Sequence, residues 1–164
     1  GTDEWPFYTV ADKDALWQSL AAILKDRGQL VFTDSAIAPD ADLTTGALGA
    51  WTKTERLEPF VTPIAATEKG LASAGFDVRT VEDISNAYHR QTKLGLSRLH
   101  DHLTKEELEP EAKTIVTDEI ALLTRRLMAL DDGLQVKRVH ALLPVSAGQE
   151  DGFEPASRDP EAIE

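Results

Sequence analysis

The chain has no cysteine among its 164 residues, which excludes disulfides, thiolate metal sites and thiol nucleophiles. Cationic side chains are also scarce: 17 Lys and Arg stand against 29 Asp and Glu, a net charge of −12. Such a surface does not suit a nucleic-acid backbone or an anionic membrane, since both attract clustered Lys and Arg. No apolar run approaches the ~18 residues needed to span a bilayer, and no signal peptide is visible. A cytoplasmic location is therefore expected. None of the ten glycines forms a G-x-G pair, so the sequence lacks the loop that lets backbone approach a nucleotide-like ligand closely. It also lacks the G-x-S-x-G elbow of Ser/His/Asp hydrolases. The single methionine is Met128 and the first residue is Gly1. A leading glycine is what tag removal leaves, so Thr2 reads as the start of a piece of a longer protein.

What is present is an ordinary soluble composition, 41% hydrophobic, in a chain long enough for one core. Trp5, Phe7 and Tyr8 cluster around Pro6 and should anchor the start of the fold. Asp12 is a suitable helix N-cap, with Asp14 in the first turn. Leu16, Leu20, Ile23 and Leu24 then fall on one helical face, and Gly28 ends the helix. "QLVFT" follows without polar alternation, which predicts a strand buried on both faces in a parallel or mixed sheet. A short helix over Leu43–Leu57 carries Trp51. Pro63 opens a helix running to Ala74, with Gly75 at its cap. "FDVRTVEDI" reads as a second strand, with Phe76 and Val78 on one side. Ser85 caps a helix through Leu103, and Pro110 opens another to Leu130, closed by Gly133. Leu134–Leu143 is a last strand whose apolar phase shifts between Val136 and Val139, predicting a bulge or a two-sided strand. Six acidic residues and two prolines make 145–164 a peripheral tail. The division expected is one α/β domain over 1–144 and an acidic tail over 145–164.

In its order of elements the sequence resembles the C-terminal half of a class I S-adenosylmethionine-dependent methyltransferase of small-molecule type. That family leads into its fifth strand with "L-K-P-G-G" and often ends the strand in "T-D". Leu24, Lys25, Gly28, Thr33 and Asp34 keep the pattern, while Asp26 and Arg27 replace the usual proline and first glycine. Ala74, Gly75 and Phe76 match the family's "A-G-F", and Glu82 and Asp83 its "E-D". The likeness spans roughly residues 9–143.

The resemblance implies a partial Rossmann-like sheet of about three strands with flanking helices and a helical insertion near 85–132. It implies S-adenosylmethionine as the cofactor of the parent enzyme and a small-molecule substrate. The glycine-rich cofactor half is missing, so no cofactor is expected to bind this chain alone. Under the same likeness Asp34, at the carboxyl end of a strand, is a candidate substrate contact, extended weakly to Ser35. Trp51 and Tyr88 are further candidate substrate contacts, and His89 is a candidate general base. Trp51 could equally be plain packing, and Tyr88–His89 an ordinary helix start. His100 and His102 lie two apart on a helix and point in different directions, which argues against a shared metal. Arg125 and Arg126 look like solvated charges paired with Asp118, Glu119 or Asp131. The strand around Val31 would leave an unpaired edge, and a homodimer hiding it, or rearranged N-terminal residues covering it, is expected. The alternative reading is a non-catalytic module of the same family that serves dimerisation or partner binding.

Overall fold

A computed structural model of the chain describes residues 7–24 and 27–145. Trp5, Pro6, Lys25, Asp26 and all but the first residue of the acidic tail lie outside that range. Along the chain run α1 (Lys13–Leu24), β1 (Gln29–Ile37), α2 (Gly46–Thr54), α3 (Ile64–Ser73), β2 (Asp77–Asp83), α4 (Ser85–Lys105), α5 (Pro110–Leu130) and β3 (Leu134–Leu142).

Local chemistry sets most of these boundaries. Asp12 accepts the Ala15 N–H at 3.1 Å, so it caps α1 as expected. After α3, Gly75 takes φ +101° while Phe76 N–H reaches Leu71 O and Gly75 N–H reaches Ala72 O, the paired closure that favours glycine. Pro110 starts α5 at the expected residue. Helix α2 is shorter than expected, Gly46–Thr54 rather than 43–57. Ser85 does not cap α4 with its hydroxyl. Asp83 accepts the Ser85 N–H at 2.8 Å, and Ser85 Oγ instead accepts the Val136 N–H. The cap position falls on Ile84, so Ser85 is already the first helical residue and its hydroxyl is turned to β3.

The sheet has strand order β1-β3-β2, and both pairings are antiparallel. The last strand thus lies between the first two, which run in the same direction. No parallel pair occurs among the described residues, contrary to the expectation drawn from the β1 sequence.

Two hydrophobic clusters occupy opposite faces of the sheet. Ile37, Leu48, Trp51, Val61, Ala129 and Leu134 form one, under α2 and α5. Trp17, Leu71, Phe76, Val139 and Ala141 form the other, under α1 and α3. The phase shift in β3 is therefore a two-sided strand: Leu134 and Val136 are buried on one face, Val139 and Ala141 on the other. The register irregularity lies in the neighbouring strand, between Val78 and Thr80.

The reading of β1 as buried on both faces fails over its first half. Leu30 and Phe32 join the α1/α3 cluster, but Val31 on the other face is 61% exposed. The apolar side chain is there; the layer that would cover it is not among the described residues. Helices α4 and α5 form the insertion between β2 and β3.

A candidate ligand cavity at the carboxyl end of β1

A cavity of about 510 Å³ opens beside the carboxyl-terminal half of β1. Thr33, Asp34 and Ser35 form its floor, Trp51 and Glu55 come from α2 and the residue following it, Tyr88 from α4 and Arg126 from α5. Tyr8, from the short 3-10 turn Phe7–Thr9, completes the wall. Asp34, Trp51 and Tyr88 are thus brought together although they are widely separated in sequence. Ser35 joins them.

Asp34 is held by its surroundings rather than by an ion pair. Its Oδ1 accepts the Tyr8 N–H at 3.0 Å and the Ser35 N–H at 2.9 Å. Burial pushes its carboxyl up to about 6, against the opposing pull of those amides and of Lys13. The Lys13 ammonium is itself engaged by the Phe7 and Val10 carbonyls, and burial lowers its proton affinity. A carboxyl tuned toward neutrality in a cleft can take and return a proton.

The opposite wall is built by residues the sequence reading placed elsewhere. Arg126 is not a solvated charge: its side chain is 23% exposed, and it grips Glu55 through Nε at 2.8 Å and Nη2 at 3.1 Å. Glu55 also accepts the Trp51 indole N–H. The hydrogen bonds to Glu55 hold the arginine firmly protonated. Burial, with Glu55 nearby, pushes the Tyr8 hydroxyl up to about 12, so it stays neutral. Tyr8 leans on Trp51 with ring centroids 6.1 Å apart. Trp51 is both a core residue, 1% exposed, and a wall of the cavity. The two readings of it are therefore not exclusive.

His89 is not brought to the cavity. Its Nε2 faces Asp131 Oδ1 at 3.6 Å, across the α4–α5 contact. On a helix, adjacent residues diverge, so placing Tyr88 in the wall turns His89 away. His102 pairs with Glu106 one turn on, and no cluster of three potential metal ligands occurs among the described residues.

No family model and no curated protein sequence matches this chain. Solved structures do. A Galdieria sulphuraria protein assigned as a sarcosine dimethylglycine methyltransferase superposes with a TM-score of 0.71 at 14% identity, over 84% of this chain and 50% of that one. Phosphoethanolamine N-methyltransferase 2 of Haemonchus contortus, solved with phosphomonomethylethanolamine and S-adenosylhomocysteine, gives 0.67 at 15% identity, over 84% of this chain and 32% of that one.

This chain has the fold of a partial methyltransferase domain.

The same fold also carries other chemistry. The [4+2]-cyclase SpnF matches 85% of this chain and 48% of its own length, with a TM-score of 0.61 at 17% identity. This chain thus spans half or less of the length of these three structures. Gly75 and Gly133 close helices, and the turn into α2 at Gly46 already holds the Asp132 carboxylate, which accepts the Leu48 N–H. Among the described residues no helix is long and apolar enough to cross a membrane.

Proposed function

We propose that this chain is the substrate-side portion of an S-adenosylmethionine-dependent methyltransferase acting on a small molecule. In this reading residues 1–144 form one domain, 145–164 an acidic appendage, and the parent protein works in the cytoplasm. The observation that carries it is the meeting of Asp34, Trp51 and Tyr88 in one cavity at the carboxyl end of β1, where open α/β sheets bind ligands. The volume suits a small molecule. The names of solved neighbours, which include enzymes of sarcosine, dimethylglycine and phosphoethanolamine, support the same substrate class. Asp34, Trp51 and Tyr88 position the substrate. Asp34 replaces His89 as the proton acceptor, because it lines the cavity and His89 does not. In this reading S-adenosylmethionine belongs to the complete parent enzyme and the isolated chain is inactive, which the lack of any G-x-G pair in its sequence supports.

Isothermal titration tests this. S-adenosylmethionine should leave the isolated chain silent and bind once the chain is joined to the sequence its gene encodes before Thr2. Binding to the isolated chain would overturn the missing-half reading, and silence in the joined protein would overturn the methyltransferase reading.

A second reading, a non-catalytic dimerisation module, is favoured by the free edge of β1. Its first part carries Gln29, Val31 and Thr33 with no proline, lysine or bulge to block pairing, whereas further on Asp34 Oδ1 takes the Ser35 N–H and Thr62 O the Ile37 N–H. A second copy would offer the same uncharged edge, and a two-fold antiparallel pairing would also shelter Val31.

A further inference from the structure

The cavity wall is polar, yet its charges are already committed among the described residues. Glu55 and Arg126 neutralise each other through two hydrogen bonds. Arg56 turns outward to Glu119, its side chain 70% exposed. Asp34 takes two amides on Oδ1, and the Lys13 charge acts on it. An ion entering this cavity would shed water without meeting a free counter-charge, which is unfavourable. What the wall leaves open is hydroxyl. Tyr8, Thr33, Ser35 and Tyr88 line it, and none of their hydroxyls has a hydrogen-bond partner among the described residues. Strand alternation sets Thr33 and Ser35 on the face of β1 that carries Ile37, under α2 and α5. Tyr8, Tyr88 and Arg126 come from three different elements, yet lie close enough to act on one another electrostatically. Arg126 gives Nε and Nη2 to Glu55, while its Nη1 has no partner among the described residues. Two phenols and a guanidinium edge are donors that a ligand oxygen can satisfy, and a carbonyl or hydroxyl oxygen does so without bringing charge.

We propose that this cavity binds an uncharged small molecule through a carbonyl or hydroxyl oxygen, which accepts hydrogen bonds from Tyr8, Tyr88 and Arg126. The proposal names a substrate class for the site described above and rests on that reading only in taking this cavity as the ligand site. It is not the class of the sarcosine, dimethylglycine and phosphoethanolamine enzymes among the solved neighbours.

The test uses the chain as it is, with probes of similar shape and different charge: acetophenone, benzoate and benzylammonium. Tyr8 and Tyr88 are the only tyrosines in the chain, so the NMR ring resonances of isotope-labelled tyrosine report on this cavity alone. Acetophenone should shift both sets of ring signals at millimolar concentration, with benzoate and benzylammonium each at least about tenfold weaker. Tyr88→Phe keeps the ring and removes the hydroxyl, and should weaken acetophenone binding about fivefold; Tyr8→Phe should do the same. In each variant the remaining tyrosine is the reporter. Equal or tighter binding of benzoate or benzylammonium overturns the proposal, and so does the absence of a shift with all of the probes. A Tyr88→Phe variant that binds acetophenone undiminished also overturns it, which decides the matter even if Tyr8→Phe fails to fold. Failure here leaves a methyltransferase acting on a charged molecule standing. Failure of the cofactor titration in the joined protein leaves the acetophenone result intact, so the two readings fail separately.

Discussion

Glu55 and Arg126 lie 71 residues apart in sequence and meet in a two-pronged ion pair that also anchors the Trp51 indole. The Glu55 side chain is only 5% exposed, so removing its partner strands a desolvated carboxylate. Arg126→Ala should cost roughly 3 kcal/mol, as broken buried pairs do. Denaturant melts would measure it, and a double-mutant cycle with Glu55→Gln should return a coupling energy well above that of an exposed pair. A loss below about 0.5 kcal/mol would mean the pair behaves as a surface contact.

Asp34 should contribute to the pH dependence of stability with an unusual sign for a carboxylate. Its folded pKa of about 6 lies above the ordinary value of 3.8, so the folded state holds the proton more tightly than the unfolded one. Its own contribution to stability should be greatest below about pH 4, fall as pH rises through 6, and level off above. Tyr8, Lys13, Glu55, Arg126 and Tyr88 all lie near this group or share its cavity, so the comparison must be made against a variant. The difference between wild type and Asp34→Asn should change by on the order of 2–3 kcal/mol between pH 4 and pH 8, with Asn the more stable at pH 8. A flat difference would show that Asp34 is not desolvated.

Arg27 is the one non-glycine residue with positive φ among those described, at +66°. Its N–H still reaches Leu143 O, tying the turn to the end of β3. Arg27→Gly should stabilise the protein by about 0.5–1 kcal/mol, the relief of left-handed strain less the added chain entropy. The reverse is expected one residue on. A Cβ at Gly28 would sit 2.7 Å from Leu24 O, so Gly28→Ala should lower the melting temperature.

Val31 tests the free sheet edge. Val31→Lys places a charge at an exposed position of the edge strand β1, a common way of blocking edge association. If a second copy covers β1, light scattering should show a dimer for the wild-type chain and a monomer for the variant, with folding unaffected. A monomeric wild type would end the dimer reading.

Much of the architecture was legible because it is written locally. The Asp12 cap, Pro110 at the start of α5, Gly75 at the end of α3 and the shifted phase of β3 all act within a few residues of themselves. Asp34, Trp51 and Tyr88 could be singled out because a resemblance supplied their context, not because any spacing links them. Glu55 and Arg126 were missed for the same reason. A charge two helices away leaves no trace beside Arg126, and its acidic neighbours Glu119 and Asp131 offered nearer partners. Tyr8 entered only as part of an aromatic cluster; its main-chain amide, which carries no side-chain signal, is what reaches Asp34. The exposure of Val31 was illegible in principle, since an apolar strand reads the same whether or not its cover is present.

The placement of β3 between β1 and β2 has a consequence for how the chain comes into being. Both strand pairings among the described residues involve residues 134–142, so within this chain β1 and β2 are not joined until β3 has been made. On the ribosome, helices α1 through α5 can form as they emerge, but this three-stranded unit must wait until β3 clears the exit tunnel. Termination before Leu134 therefore removes both pairings at once, because it removes the strand that joins β1 to β2.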